Sequence, residues 1–151
     1  MELTGLLSML ENVSYNKPHL SRQINELVGK EYNLIERLKR NGIGSPRMTI
    51  TSSSAKIAAL LSLDSNRNTC NIEIRPKGVI VRFRSILETY AWVIPYYMLS
   101  TFQNSDGSIT MHAGAYFLKL HPDTSAKKFM LKLIETKTEA MAAYNMLNHI
   151  Q

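Results

Sequence analysis

The chain predicts an α+β fold: N-terminal helices, then an antiparallel meander of about six to seven short strands, then one long C-terminal helix. The strands are expected to form a bent sheet or a partly open barrel. Three observations carry this reading. Period-two alternation on both sides of Arg75-Pro76-Lys77-Gly78 marks a β-hairpin over residues 71–84. An apolar stripe with helical spacing runs through Leu20, Ile24, Leu27, Val28, Leu34, Ile35 and Leu38. A second helical stripe runs from Phe129 to Ile150.

Taken in order, Leu3, Leu6, Leu7 and Leu10 form a short apolar stripe and the first forty residues read as helical. Gly29 interrupts the longer stripe after Pro18 and costs about 1 kcal/mol relative to alanine inside a helix, so a kink or break is expected there. Lys39 and Arg40 followed by Asn41-Gly42 supply the cations and the left-handed residue of a helix C-terminus. Ile43-Gly44-Ser45-Pro46 reads as a linker, which divides a helical segment, residues 1–46, from an α+β domain, residues 47–151. Lys56 to Asp64 suits a strand or a short helix. The turn cluster Asp64-Ser65-Asn66-Arg67-Asn68 favours the strand.

In the hairpin, Ile72 and Ile74 alternate with Glu73 and Arg75, and Val79, Val81 and Phe83 with Ile80, Arg82 and Arg84. Proline pre-sets φ at the second turn position and glycine accepts a positive φ at the fourth. The next strand covers Tyr90 to Phe102. Pro95 removes a ladder donor, so that strand should lie at an edge, or bulge or begin at the proline. Asn104-Ser105-Asp106-Gly107 is a hairpin signal, and Ile109–His112 and Tyr116–His121 give a further pair around Ala113-Gly114. Pro122-Asp123-Thr124-Ser125 offers the N-cap of the last helix.

Composition bounds the function classes. A hydrophobic share of 44% and a charged share of 20% describe a folded chain. The net charge of +6 is unevenly placed: residues 47–91 hold seven Lys/Arg against three Asp/Glu, whereas residues 1–46 hold six against five. Such a patch attracts phosphates, anionic lipid or an acidic protein face. Cys70 is the only cysteine, which excludes an intrachain disulfide and makes a cytoplasmic address the default. The first residues lack a basic n-region and a cleavage site, and the most apolar window, Tyr90 to Leu99, is too short to span a bilayer.

The Gly78-Val-Ile-Val-Arg-Phe strand, the Trp92-Val-Ile-Pro-Tyr segment and the Tyr116-Phe-Leu-Lys strand leading into the final helix resemble the pleckstrin-homology and GRAM superfold, bacterial versions included, over residues 56–150. That resemblance implies a non-enzymatic binding or interaction module with no cofactor. In that family, lysines and arginines between the first two strands often hold a phosphoinositide headgroup. The corresponding loop here, Asp64 to Asn68, carries Arg67 as its one cation beside the opposing Asp64.

The candidate ligand-binding residues are Arg75, Lys77, Arg82 and Arg84. Alternation puts Arg75, Arg82 and Arg84 on the face opposite Val79, Val81 and Phe83, where guanidinium forks take phosphate or carboxylate oxygens in pairs. A solvated basic face is the bland alternative. Trp92, with Tyr90, Tyr96 and Tyr97, offers a stacking platform for a nucleic-acid-binding reading, and core packing is its alternative. His112 and His121 with Asp123 are the one grouping with a small-enzyme or metal flavour, short of the ligands that zinc requires, so no catalytic residue and no metal are assigned. Partners are an acidic peptide or protein face, a lipid headgroup or nucleic acid. The N-terminal apolar stripe is expected to fold back on its own domain, or else to make a homodimer or partner contact.

Overall fold

The computed structural model describes residues 8–63 and 68–150. Eight antiparallel strands form one open sheet in the order β1-β5-β4-β3-β2-β8-β7-β6, and four helices accompany it. The strands are β1 (Met9–Asn12), β2 (Met48–Ser53), β3 (Thr69–Arg75), β4 (Gly78–Ser85), β5 (Glu88–Pro95), β6 (Ser100–Gln103), β7 (Ile109–Ala113) and β8 (Tyr116–His121). The helices are α1 (Pro18–Val28), α2 (Leu34–Lys39), α3 (Ala55–Ser62) and α4 (Thr124–Ile150). The α+β class, the antiparallel sheet and the long C-terminal helix are all present; the sheet has eight strands among the described residues rather than six or seven, and it does not close.

The β3–β4 hairpin forms in the expected register. Arg75 faces Gly78 across the Pro76-Lys77 turn, Ile74 faces Val79 and Glu73 faces Ile80. Its inner side chains, Ile72, Ile74, Val79, Val81 and Phe83, join Trp92 and Ile94 of β5 in the main core. Ala126, Phe129, Met130 and Leu133 of α4 complete that core, with Ile57 and Leu61 of α3. The other face of β4–β5 is also apolar at Ile80, Ala91 and Val93, and α1 covers it through Val28, with Ile24 and Leu27 alongside. A strand pair covered on both faces needs near-continuous apolar residues, which is what Val79-Ile80-Val81 and Ala91-Trp92-Val93-Ile94 provide.

Three expectations about local structure are corrected. The described end of the first apolar stripe is β1, not a helix. Met9 packs into the outer cluster and Leu10 into the inner one, the two-residue alternation of a strand paired with β5. Leu3, Leu6 and Leu7 lie outside the described residues. Residues 55–62 are helix rather than strand, because Ile57 and Leu61, four apart, are the buried pair while Lys56, Ala58 and Ala59 face solvent. The apolar run from Tyr90 to Phe102 is two strands. β5 ends at Pro95, Tyr96–Met98 make a 3₁₀ turn, and β6 restarts on the far edge of the sheet. The break expected at Gly29 is present, where a φ of +85° ends α1. Leu34, Ile35 and Leu38 of α2 remain exposed.

Residues 43–45, expected as a linker, are tied to β3. Ile74 N–H donates to the Ile43 carbonyl, Ser45 N–H to the Ile72 carbonyl, and Ile43 itself is buried in the main core. Asn41 (φ +57°) and Gly42 (φ +89°) turn the chain out of α2 as anticipated. Lys132 of α4 donates to the Arg40, Asn41 and Gly42 carbonyls, an ammonium placed on the negative end of a helix.

Candidate anion-binding cleft

The outer face of β3–β4 carries an ion triad. Glu73 accepts from Arg75 Nε at 2.6 Å and from Arg82 Nη1 at 2.7 Å. The register explains it: Glu73 faces Ile80 and Asn71 faces Arg82, so Glu73 lies diagonally across from Arg82 on one face. Burial pushes the Glu73 carboxyl up, but the hydrogen bonds and charges of the two guanidinium groups outweigh it, and the carboxyl sits below its ordinary value.

The two arginines do different things. Arg75 is buried, and its Nη1 also donates to Asn25 Oδ1 at 3.1 Å and to the Gly29 carbonyl at 2.9 Å. It clamps the C-terminal end of α1 to the sheet, where a cation is favoured by the exposed helix carbonyls. Its own carbonyl receives the Tyr96 hydroxyl at 2.9 Å. Arg82 keeps 40% of its side chain exposed, and among the described residues Glu73 is its one hydrogen-bond partner. The rest of its fork is open to a ligand.

Above Arg82 lies a cleft of about 510 Å³ between α1, the loop preceding it and the sheet. Lys17, Lys30, Arg75 and Arg82 line it against one lining carboxylate, Glu31, which is drawn 3.2 Å from Arg37. Val13, Leu20, Ile24 and Ala91 give it an apolar wall. The first turn of α1 borders the cleft, carries no acidic residue and has no side-chain cap at Lys17, which adds the positive end of the helix to the same field.

Two of the five candidate binding residues therefore meet in a concavity, and three do not. Lys77 is exposed at the hairpin turn beside Pro76, lining a separate shallow cleft near Tyr32. Arg84 is exposed opposite Thr89. Trp92 is a correction: it is 0% exposed on the inner face, edge-on to Tyr116 with centroids 6.2 Å apart, and cannot stack on a base. Its parity with Val81, not with Arg82, decides this. Tyr96 is buried on the same inner side.

His112 and His121 do not meet. His112 faces Phe117, four residues and about 13 Å from His121 along β8, and both are exposed. Asp123 caps α4 by accepting from Ala126 N–H at 2.9 Å, which holds its carboxyl below the usual range. Among the described residues no three His, Cys, Asp or Glu side chains are grouped to hold a metal. Cys70 is buried in the core, where desolvation pushes its thiol up to about 12, far from a reactive thiolate. Asp64 and Arg67 lie outside the described residues.

Sequence reasoning overlooked Glu73, Asn25, Lys17 and Lys30. Alternation had already placed Glu73 beside the arginines. The other three come from α1 and its flanks, whose bearing on the sheet has no signature in a linear pattern. No protein-family model, no curated protein and no solved structure matches the chain.

Proposed function

We propose that the protein is a binding module whose cleft under α1 receives an acidic segment of a partner protein, a carboxylate meeting Arg82 and an apolar neighbour lying on Val13, Leu20 and Ile24. The observation that carries this reading is Arg82 itself, half open in a concave site with part of its fork free among the described residues. Lys17 and Lys30 add charge of the same sign at the rim. Arg75 serves as scaffold, since it is buried with its Nε and Nη1 engaged by Glu73, Asn25 and Gly29. An open antiparallel sheet packed by a long helix suits a rigid docking platform, and the sequence resemblance to pleckstrin-homology and GRAM domains supports the same reading. The reading is non-enzymatic, and it takes the cytoplasm as the compartment because the lone Cys70 requires no oxidising one. Among the described residues no helix is long and apolar enough to cross a membrane.

Isothermal titration with a peptide of alternating glutamate and leucine, and with pyrophosphate as an anion control, tests the proposal. The peptide should bind more tightly than pyrophosphate, and Arg82→Gln should weaken it by about tenfold, the loss of one charge-assisted pair. Arg84→Gln should leave it unchanged. Equal binding by Arg82→Gln and the parent, with matching melting curves, would sink the reading.

A further inference from the structure

Two-residue hairpin turns have strict chemistry, and the one between β4 and β5 breaks it. Ser85 pairs with Glu88, leaving Ile86 and Leu87 as the turn. Ile86 has φ +57°, a left-handed conformation that a β-branched side chain rarely adopts. Because Ile86 but not Leu87 takes a positive φ, glycine is the usual first residue of such a turn. Neither side chain gains burial in exchange: Ile86 is 53% exposed and Leu87, at 82%, is the most exposed large apolar residue described. A local rule broken without a return inside the fold points to a role outside it.

One more exposed apolar side chain stands beside the turn: Tyr15, which donates to Glu88 Oε1 at 3.4 Å. The Ser85 hydroxyl donates to the Leu60 carbonyl at 2.6 Å and ties the end of α3 to the start of the turn. A cation accompanies them: Arg84 is exposed one residue before Ser85. Glu88, the one described carboxylate flanking the turn, is occupied by Asn12 and Tyr15.

We infer that this tip docks on an anionic lipid bilayer, with Ile86 and Leu87 entering the headgroup–acyl boundary and Arg84 meeting lipid phosphates. A two-residue turn is convex, so it offers no pocket to a partner's side chain. A fluid interface needs no complementary shape and rewards apolar area ringed by cations. The chain's net charge of +6 acts in the same direction. The tip does not depend on occupancy of the cleft.

Vesicle co-sedimentation of the full chain tests it. The parent should sediment with phosphatidylserine-containing vesicles, stay in the supernatant with pure phosphatidylcholine, and release as salt is raised. The double variant Ile86→Gly, Leu87→Ser carries the residues the turn prefers. It should melt no lower than the parent yet lose about tenfold or more of its vesicle partitioning, from the apolar area removed. Leu87→Trp should show an emission blue shift on the anionic vesicles. Peptide binding at the cleft should be unchanged in the double variant, so the two readings fail separately. A parent that ignores anionic vesicles, a double variant that partitions like the parent, or an unshifted Leu87→Trp emission overturns the inference.

Discussion

The two faces of the β3–β4–β5 ribbon are built from alternating residues of the same strands, yet they solve different problems. The inner face is apolar from Ile72 and Val79 to Phe83 and is sealed by α4 around Trp92, Met111 and Leu118. The outer face mixes Ile80, Ala91 and Val93 with Glu73, Arg75 and Arg82, and α1 covers the apolar part while the charged part borders a cleft. The apolar core is concentrated on one face, and the ion triad and cleft lie on the other. The outer face can host charge because each buried ion there has a partner, and because the α1 carbonyl end absorbs what remains of Arg75.

Breaking the inner face should cost most. Trp92→Ala empties the largest fully buried side chain and should lower unfolding stability by about 3–5 kcal/mol, read by denaturant titration. Next comes the outer triad: Glu73→Gln leaves Arg75 without its carboxylate in a buried position. Because Arg82 stays solvated, the loss should fall near the lower end for broken buried pairs, about 2–3 kcal/mol. A cost below about 0.5 kcal/mol would mean that α1 is not held through Arg75.

The same triad sets a pH dependence. The folded Glu73 carboxyl lies below its ordinary value, so its contribution is fully present above the unfolded-state value of about 4.3 and is lost as pH falls through the folded value. The parent should therefore lose stability on acidification below about pH 5, and Glu73→Gln should show a shallower decline in thermal melts. The smallest effects belong to charges outside the cleft. Lys77→Ala and Arg84→Ala should each change stability by less than about 0.5 kcal/mol, and a larger change would blur the division between the two faces.

Much of this was legible in advance where one physical rule acts alone. The Arg75–Gly78 hairpin, the Asp123 cap and the break at Gly29 follow from strand alternation around a proline turn, N-capping and glycine's backbone freedom. Gly78, however, does not take the positive φ expected of it and is required instead by its close approach to Ile94 and Val28. Residues 55–62 were not legible as helix, because Ala58, Ala59, Leu60 and Leu61 satisfy either period and only burial of Ile57 with Leu61 selects one. Trp92 was legible as an alternative: parity with Val81 pointed inward, but Pro95 left the register of that strand open. The cleft was half legible. Alternation placed Arg82 on the outer face, whereas Lys17, Asn25 and Lys30 reach it only because α1 lies across β4–β5.

The sequence by itself determined the alternation that separates Val79, Val81 and Phe83 from Glu73, Arg75 and Arg82, since a strand's period of two acts on neighbours in the chain. It also determined the long closing helix. Only the tertiary structure decided that the two arginines have opposite fates. Arg75 is enclosed because α1 ends against the hairpin, where Gly78 presses on Val28 and Ile94 so closely that a Cβ has no room. Arg82, seven positions on, clears the end of that contact and keeps its fork in solvent. Identical side chains on one face of one hairpin acquire different roles from the distance each lies under a helix, and that distance is set by packing rather than by any local pattern.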